Sequence, residues 1–133
     1  MSLSRINSPL PNELEDLVLR VIRCCLSVHR GLGPGYNEAT YGRACLIELQ
    51  YAGLQFELEK SVHVRYRGEI VCSQRIDLLV EGRVIVELKS VEAIHPVHIA
   101  QTVSYLRAIG GRVGLIVNFN VALLKHGIRR VVL

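Results

Sequence analysis

The chain has 133 residues, half of them apolar, with a mean hydropathy of +0.29, a formal net charge of +4 and a pI near 9.1. That length is expected to hold one domain, without a second module for target recognition, and the positive balance is compatible with a polyanionic partner without requiring one. No apolar run approaches the ~20 residues of a bilayer span and the N-terminus lacks the apolar core of a signal peptide, so the default expectation is a cytoplasmic protein.

Residues 1–10 are polar and irregular and read as a flexible arm ahead of one domain over 11–133. Pro11-Asn12 opens a helix, with Asn12 as its candidate cap and Glu15 three residues later as in a capping box. Leu14, Leu17, Val18, Val21, Ile22 and Cys25 recur at the helical period, a single apolar stripe that ends near Gly31. The four cysteines, Cys24, Cys25, Cys45 and Cys72, show no C-x-x-C spacing, and three lie in apolar helical patterns. They read as thiols of a reducing compartment.

Gly31 to Gly35 is expected to be a loop, without the lysine and spacing of a P-loop. A second helix follows from about Tyr36 to Ala52, closed by Gly53. Glu38, Tyr41 and Cys45 fall on one side of it, with Leu46 and Leu49 continuing the stripe. Glu38 is therefore expected near the apolar face, where an unpaired carboxylate is costly and a metal or a lysine would relieve it.

Phe56 to Tyr66 alternates, with Val62, Val64 and Tyr66 on one face and His63 and Arg65 on the other. This predicts a half-buried strand, turned at Arg67-Gly68-Glu69 into Ile70-Val71-Cys72. Residues 75–89, RIDLLVEGRVIVELK, read as two apolar strands joined at Glu81-Gly82, with Ile85, Glu87 and Lys89 on one face of the second. A three-residue connection makes Asp77 the direct or diagonal neighbour of Glu87; a two-residue turn puts the two acids on opposite faces. Glu-Gly suits the longer connection, with Gly82 left-handed. Two carboxylates and a backbone carbonyl suffice to hold magnesium against a phosphate. A lysine beside them positions the attacking water and offsets phosphate charge. The competing reading makes Asp77 and Glu87 solvated residues of an outer face, with Lys89 paired to Glu87.

Pro96 suits the first turn of a third helix, on which His98, Gln101 and Tyr105 share a face and Val97, Ala100, Val103 and Leu106 form the expected buried stripe. Gly110-Gly111 ends it. Val113 to Phe119 is a continuous apolar run typical of a strand covered on both sides, and Ile128 to Leu133 is a last strand after a turn at Ala122 to Lys125.

Asp77 followed by Glu87-Leu88-Lys89 resembles the PD-(D/E)XK nuclease signature, with the Pro-Asp element reduced to Ile76-Asp77. Gly35-Tyr36-Asn37-Glu38-Ala39-Thr40-Tyr41 is similar to the G-x-x-E-x-x-Y pattern of the GxxExxY proteins within that superfamily, and Gln101-Thr102-Val103-Ser104-Tyr105 resembles the Q-x-x-x-Y helix of several of its nucleases. The likeness runs from about Glu13 to Leu133. It implies an α/β fold with a restriction-endonuclease-like core, a mixed central sheet flanked by helices. It also implies hydrolysis of nucleic-acid phosphodiesters, DNA more than RNA, with Mg²⁺ or Mn²⁺. On that resemblance Glu38, Asp77, Glu87 and the Leu88 carbonyl would hold the metal. Lys89 would orient the water with Gln101 in support, Tyr105 would stack or hydrogen-bond nearby, and Tyr41 would pack beside the site.

Two other classes compete: a non-catalytic nucleic-acid- or protein-binding module on the same fold, and a structural zinc protein using Cys25, His29, His95 and His98. The apolar excess makes a homodimer a further expectation.

Overall fold

A computed structural model describes residues 9–133 of the chain. The arm expected over 1–10 lies outside the described residues except for its last two. Of these Leu10 departs from the expectation, because its side chain is buried in the core.

Helix α1, Asn12–Leu32, exists because its apolar positions recur on one side: Leu14, Leu17, Val18, Val21, Ile22 and Cys25 are all buried, as expected, and Val28 extends the stripe. The expected cap does not form. Pro11 precedes the helix, and its carbonyl accepts from the Leu14 and Glu15 N–H groups, while Asn12 is the first helical residue. Glu15, expected in a capping box, is buried and ion-paired with Arg130. Gly31 and Leu32, expected in the loop, are the last residues of this helix, which Gly33 ends with φ +69°. Helix α2, Glu38–Tyr51, starts later than the Tyr36 expected because Asn37 caps it, Oδ1 accepting from Thr40 N at 2.9 Å. Tyr41, Cys45 and Leu49 are its buried face.

Five strands follow: β1 Phe56–Tyr66, β2 Glu69–Val80, β3 Val84–Lys89, β4 Val113–Asn118 and β5 Ile128–Val132, with helix α3, Pro96–Ile109, between β3 and β4. They form one sheet in the order β1-β2-β3-β4-β5, antiparallel except for the parallel pair β3 and β4. A parallel neighbour needs a crossover, and α3 supplies it. The stretch expected as Ile70–Cys72 and a separate strand after Arg75 is the single strand β2.

The sheet is covered on both sides. Leu78, Val80, Val84, Val86, Leu88, Leu115 and Val117 share a core with α1 and α2. Ile76, Leu79, Ile85 and Ile116 pack with Tyr105 and Leu106 of α3. This is why Val113 to Val117 of β4 reads as an unbroken apolar run and β3 is apolar up to Val86. The architecture is the α/β, mixed-sheet, helix-flanked arrangement expected.

The stripe expected on α3 holds only in its second half. Leu106 is buried and Val103 packs against the core as expected, but Val97 and Ala100 are exposed, and Thr102 and Tyr105 are buried in their stead. Gly114 of β4 decides this: a Cβ there would meet Thr102 Cγ2 at 2.7 Å, so the missing side chain is the slot into which Thr102 packs. Thr102 tolerates that burial because its hydroxyl donates to the His98 carbonyl at 3.0 Å.

Candidate active site

Strands β2 and β3 are joined through Glu81, Gly82 and Arg83. This is the three-residue connection expected, with left-handed backbone at both Glu81 (φ 52°) and Gly82 (φ 66°) and Arg83 N donating to the Val80 carbonyl at 3.0 Å. The register pairs Val80 with Val84, Leu79 with Ile85 and Leu78 with Val86. One step further out Asp77 comes opposite Glu87, and there the backbone ladder stops. Side chains replace it: the Asp77 N–H donates to Glu87 Oε2 and the Leu88 N–H to Asp77 Oδ2, each at 2.9 Å. Each acid is thus fixed by the main chain of the strand that carries the other.

The ladder on the far side of Asp77 is interrupted too. Leu58 pairs with Leu78 and Lys60 with Ile76, but Glu59 between them is unpaired and left-handed, at φ 47°. Alternation breaks at this step, for Ile76 joins the core under α3 and Leu78 the core under α1. A left-handed non-glycine residue stores roughly 1 kcal/mol or more, and such strain clusters at functional sites.

Glu87 is 6 % exposed. Burial first, and then the negative charge of Asp77, push its carboxyl up to about 8, against the Asp77 amide and the Lys89 charge, which pull the other way. Tyr105 is buried on α3, and burial, Glu87 and Asp77 together raise its phenol, so the helix brings this ring close to the acid pair. Lys89, half-buried at the end of β3, also acts on His98, which partial burial, Lys89 and His95 hold below the usual histidine range while Glu38 opposes them. His98 Nδ1 accepts the His95 N–H at 3.1 Å.

Two expected members sit differently. Glu38 is exposed, because as the first residue of α2 it stands at the open end of the helix and not on its apolar stripe. Its carboxylate accepts the Ser90 N–H at 3.4 Å, and Ser90 Oγ donates to the Tyr36 carbonyl at 2.6 Å. It borders a cleft of about 490 Å³ that Arg43, Glu59, Asp77 and Leu88 also line. Gln101 is exposed, and no hydrogen bond joins it to Lys89 among the described residues. Tyr41 is fully buried, donates to the Gly33 carbonyl and stacks on Phe119 at 4.3 Å, so it braces the loop from which Glu38 starts.

Asn118 and Glu59 are contributors that pattern reading did not single out. Asn118 is buried in the apolar run of β4, where its Oδ1 accepts from Val91 N at 3.0 Å and its Nδ2 donates to Val91 O at 2.9 Å, clamping the segment that follows Lys89. A lone amide in an apolar strand was the available signal. Glu59, in an alternating strand of exposed charges, carried none.

The proposed zinc set does not assemble. His29 Nε2 donates to the Val121 carbonyl at 2.8 Å, Cys25 lies against Cys45, and all four cysteines are free thiols, with Cys24, Cys25 and Cys45 buried. Among the described residues no three His, Cys, Asp or Glu side chains form a group that could hold a metal, so Glu38 does not complete a three-acid cluster. The Asp77–Glu87 pair still fits a hard divalent ion. Magnesium takes one or two carboxylates and fills its shell with water and substrate phosphate. The raised carboxyl of Glu87 marks first a buried acid and then the second acid beside it, and a bound cation would favour the ionised form of both.

The family model of the PD-(D/E)XK nuclease superfamily matches residues 15–131. No curated protein and no solved structure matches the chain. Among the described residues no helix is long and apolar enough to cross a membrane.

Proposed function

Because this chain belongs to the PD-(D/E)XK nuclease superfamily, we propose that it is a metal-dependent nuclease working at Asp77, Glu87 and Lys89. The superfamily implies a nucleic-acid substrate, and its nucleases generally use divalent metals. The observation that carries the reading is the reciprocal lock of Asp77 and Glu87 on each other's strands, which preorganises two acids before any substrate arrives.

Asp77, Glu87 and the Leu88 carbonyl would hold Mg²⁺ or Mn²⁺, and Glu38, which borders the same cleft, would join them once released from Ser90. A bound ion supplies Lewis acidity towards the phosphate and a water of lowered pKa. Lys89 would orient that water and offset charge on the phosphate, and Tyr105 would keep the rear of the acid pair dry. Gln101 would meet the nucleic acid from the exposed side of α3. Within the superfamily we assign the chain to the GxxExxY proteins, on Gly35, Glu38 and Tyr41. A non-catalytic binding module on the same fold is the second reading, favoured by the engagement of Glu38 with Ser90.

The test is Mg²⁺- and Mn²⁺-dependent degradation of single- and double-stranded DNA and RNA by wild type, Asp77→Asn, Glu87→Ala and Lys89→Ala, with calorimetric titration of Mn²⁺. Each variant is expected to lose at least about 100-fold in cleavage, the cost of one preorganised charge. Asp77→Asn keeps an acceptor for Leu88 N and should melt as wild type does. Metal binding by wild type without cleavage of any substrate would favour the binding module, and no metal binding at all would end the nuclease reading.

A further inference from the structure

Beyond the acid pair, β1 and β2 continue outward as a ribbon of two strands without a third. The β2–β3 ladder reaches only to Leu78, whereas β1 and β2 stay paired to Tyr66 and Glu69. Residues 65–73 are all exposed, and the last apolar anchor on β1 is Val62, in the core under α3. From His63–Ser73 to Tyr66–Glu69 the ribbon projects by roughly 10 Å at the usual rise per residue. Arg67 and Gly68 turn it, both with positive φ, and a register shift at Val64/Arg65 adds local twist.

Its composition is one-sided. Residues 61–75 carry Arg65, Arg67 and Arg75 against Glu69 alone. Arg75 is paired with Glu59 at the edge of the cleft, and neither Arg65 nor Arg67 has an ion pair among the described residues. Ile70 and Val71 are exposed at 51 % and 59 %, and the only aromatic rings are Tyr66 and the imidazole of His63, which is bonded to Ser73 Oγ at 2.9 Å.

We infer that this ribbon is a docking arm for double-stranded B-form DNA, entering the major groove next to the cleft that Asp77 borders. The inference rests on the nuclease reading and names its substrate class. A B-form major groove is about 12 Å wide and 8.5 Å deep and admits a two-stranded ribbon, whereas the deep, narrow major groove of A-form RNA does not. Arg65 and Arg67 meet phosphates or guanine edges, and Ile70 and Val71 present apolar surface to thymine methyls. Tyr66 and a His63 ring already bonded to Ser73 are too few for a stacking platform, which argues against a single strand. Because Arg75 lies two residues from Asp77, a duplex held by the arm passes over the acid pair.

The experiment measures fluorescence anisotropy of labelled DNA and RNA duplexes of one sequence, about two helical turns long, in EDTA and across a salt series. It compares wild type, Arg65→Ala/Arg67→Ala, and Lys125→Ala/Arg129→Ala as a control of equal charge. Wild type is expected to prefer the DNA duplex. The ribbon variant should bind it at least about 10-fold more weakly, with a salt slope shallower by about 2, while keeping the wild-type melting temperature and Mn²⁺ affinity. The control should change affinity less than about twofold. Equal affinity of wild type and ribbon variant for DNA overturns the inference, as does equal binding of the RNA duplex. So does a ribbon variant that loses self-association in light scattering while binding DNA normally, which would make a second copy of the chain the occupant. If the ribbon variant binds and cuts normally, the arm alone fails. If wild type neither binds nor cleaves any nucleic acid, the nuclease reading fails with it.

Discussion

The two ends of β2 are made for different surroundings. Leu78, Leu79 and Val80 are enclosed between helices and paired on both edges, while Glu69 to Ser73 are exposed and paired on one edge only. Asp77 stands at the border, the residue at which the ladder to β3 ends and the ladder to β1 skips a rung. A rigid sheet thus supports the acid on one side, and an open ribbon leaves room for a large ligand on the other. Sites built on strands that are held on one side and open on the other combine precision with access.

The comparison predicts unequal responses to substitution. The largest belongs to the inner end: Leu78→Ala empties a position that is 1 % exposed and should cost about 2–5 kcal/mol in denaturant-monitored unfolding. A loss below about 1 kcal/mol would mean that the inner end is no better packed than the outer. At the border the response depends on pH. Folded Glu87 keeps its proton up to about 8, while the unfolded side chain releases it near 4.5, so between these values the folded state binds more protons. Stability without metal should therefore fall as pH rises through that window, and the fall should shrink with millimolar Mg²⁺, which favours the ionised acid. Glu87→Gln should abolish it, and thermal melting in EDTA against pH checks this; a profile shared by wild type and Glu87→Gln would show that Glu87 is not the group. The smallest effect belongs to the outer end, where Val71→Ser should change stability by no more than about 0.5 kcal/mol. A larger loss would reveal packing that an open ribbon does not have.

Much was legible in the chain itself. The apolar period of α1 identified its buried face, the unbroken run of β4 announced a strand covered twice, and Glu-Gly at 81–82 announced a three-residue connection that sets Asp77 against Glu87. These are local matters of periodicity and turn geometry, and the residues that decide them lie within a few positions of one another.

Other features depended on partners distant in the chain. Pattern alone placed Glu38 on an apolar face, but Asn37 starts the helix and Ser90, 52 positions on, takes its carboxylate. The phase of α3 was set by the absence of a side chain at Gly114, and Glu15 was turned from the helix end into the protein by Arg130. The reciprocal bonds of Asp77 and Glu87, the rise in the Glu87 carboxyl and the left-handed Glu59 arise only when three strands meet. Sequence determined that these helices and strands form and which face of α1 is apolar, because short-range sterics and hydrophobic period decide both. Tertiary structure alone decided which polar groups are buried and what satisfies them, because desolvation and hydrogen bonding depend on what the rest of the chain brings alongside.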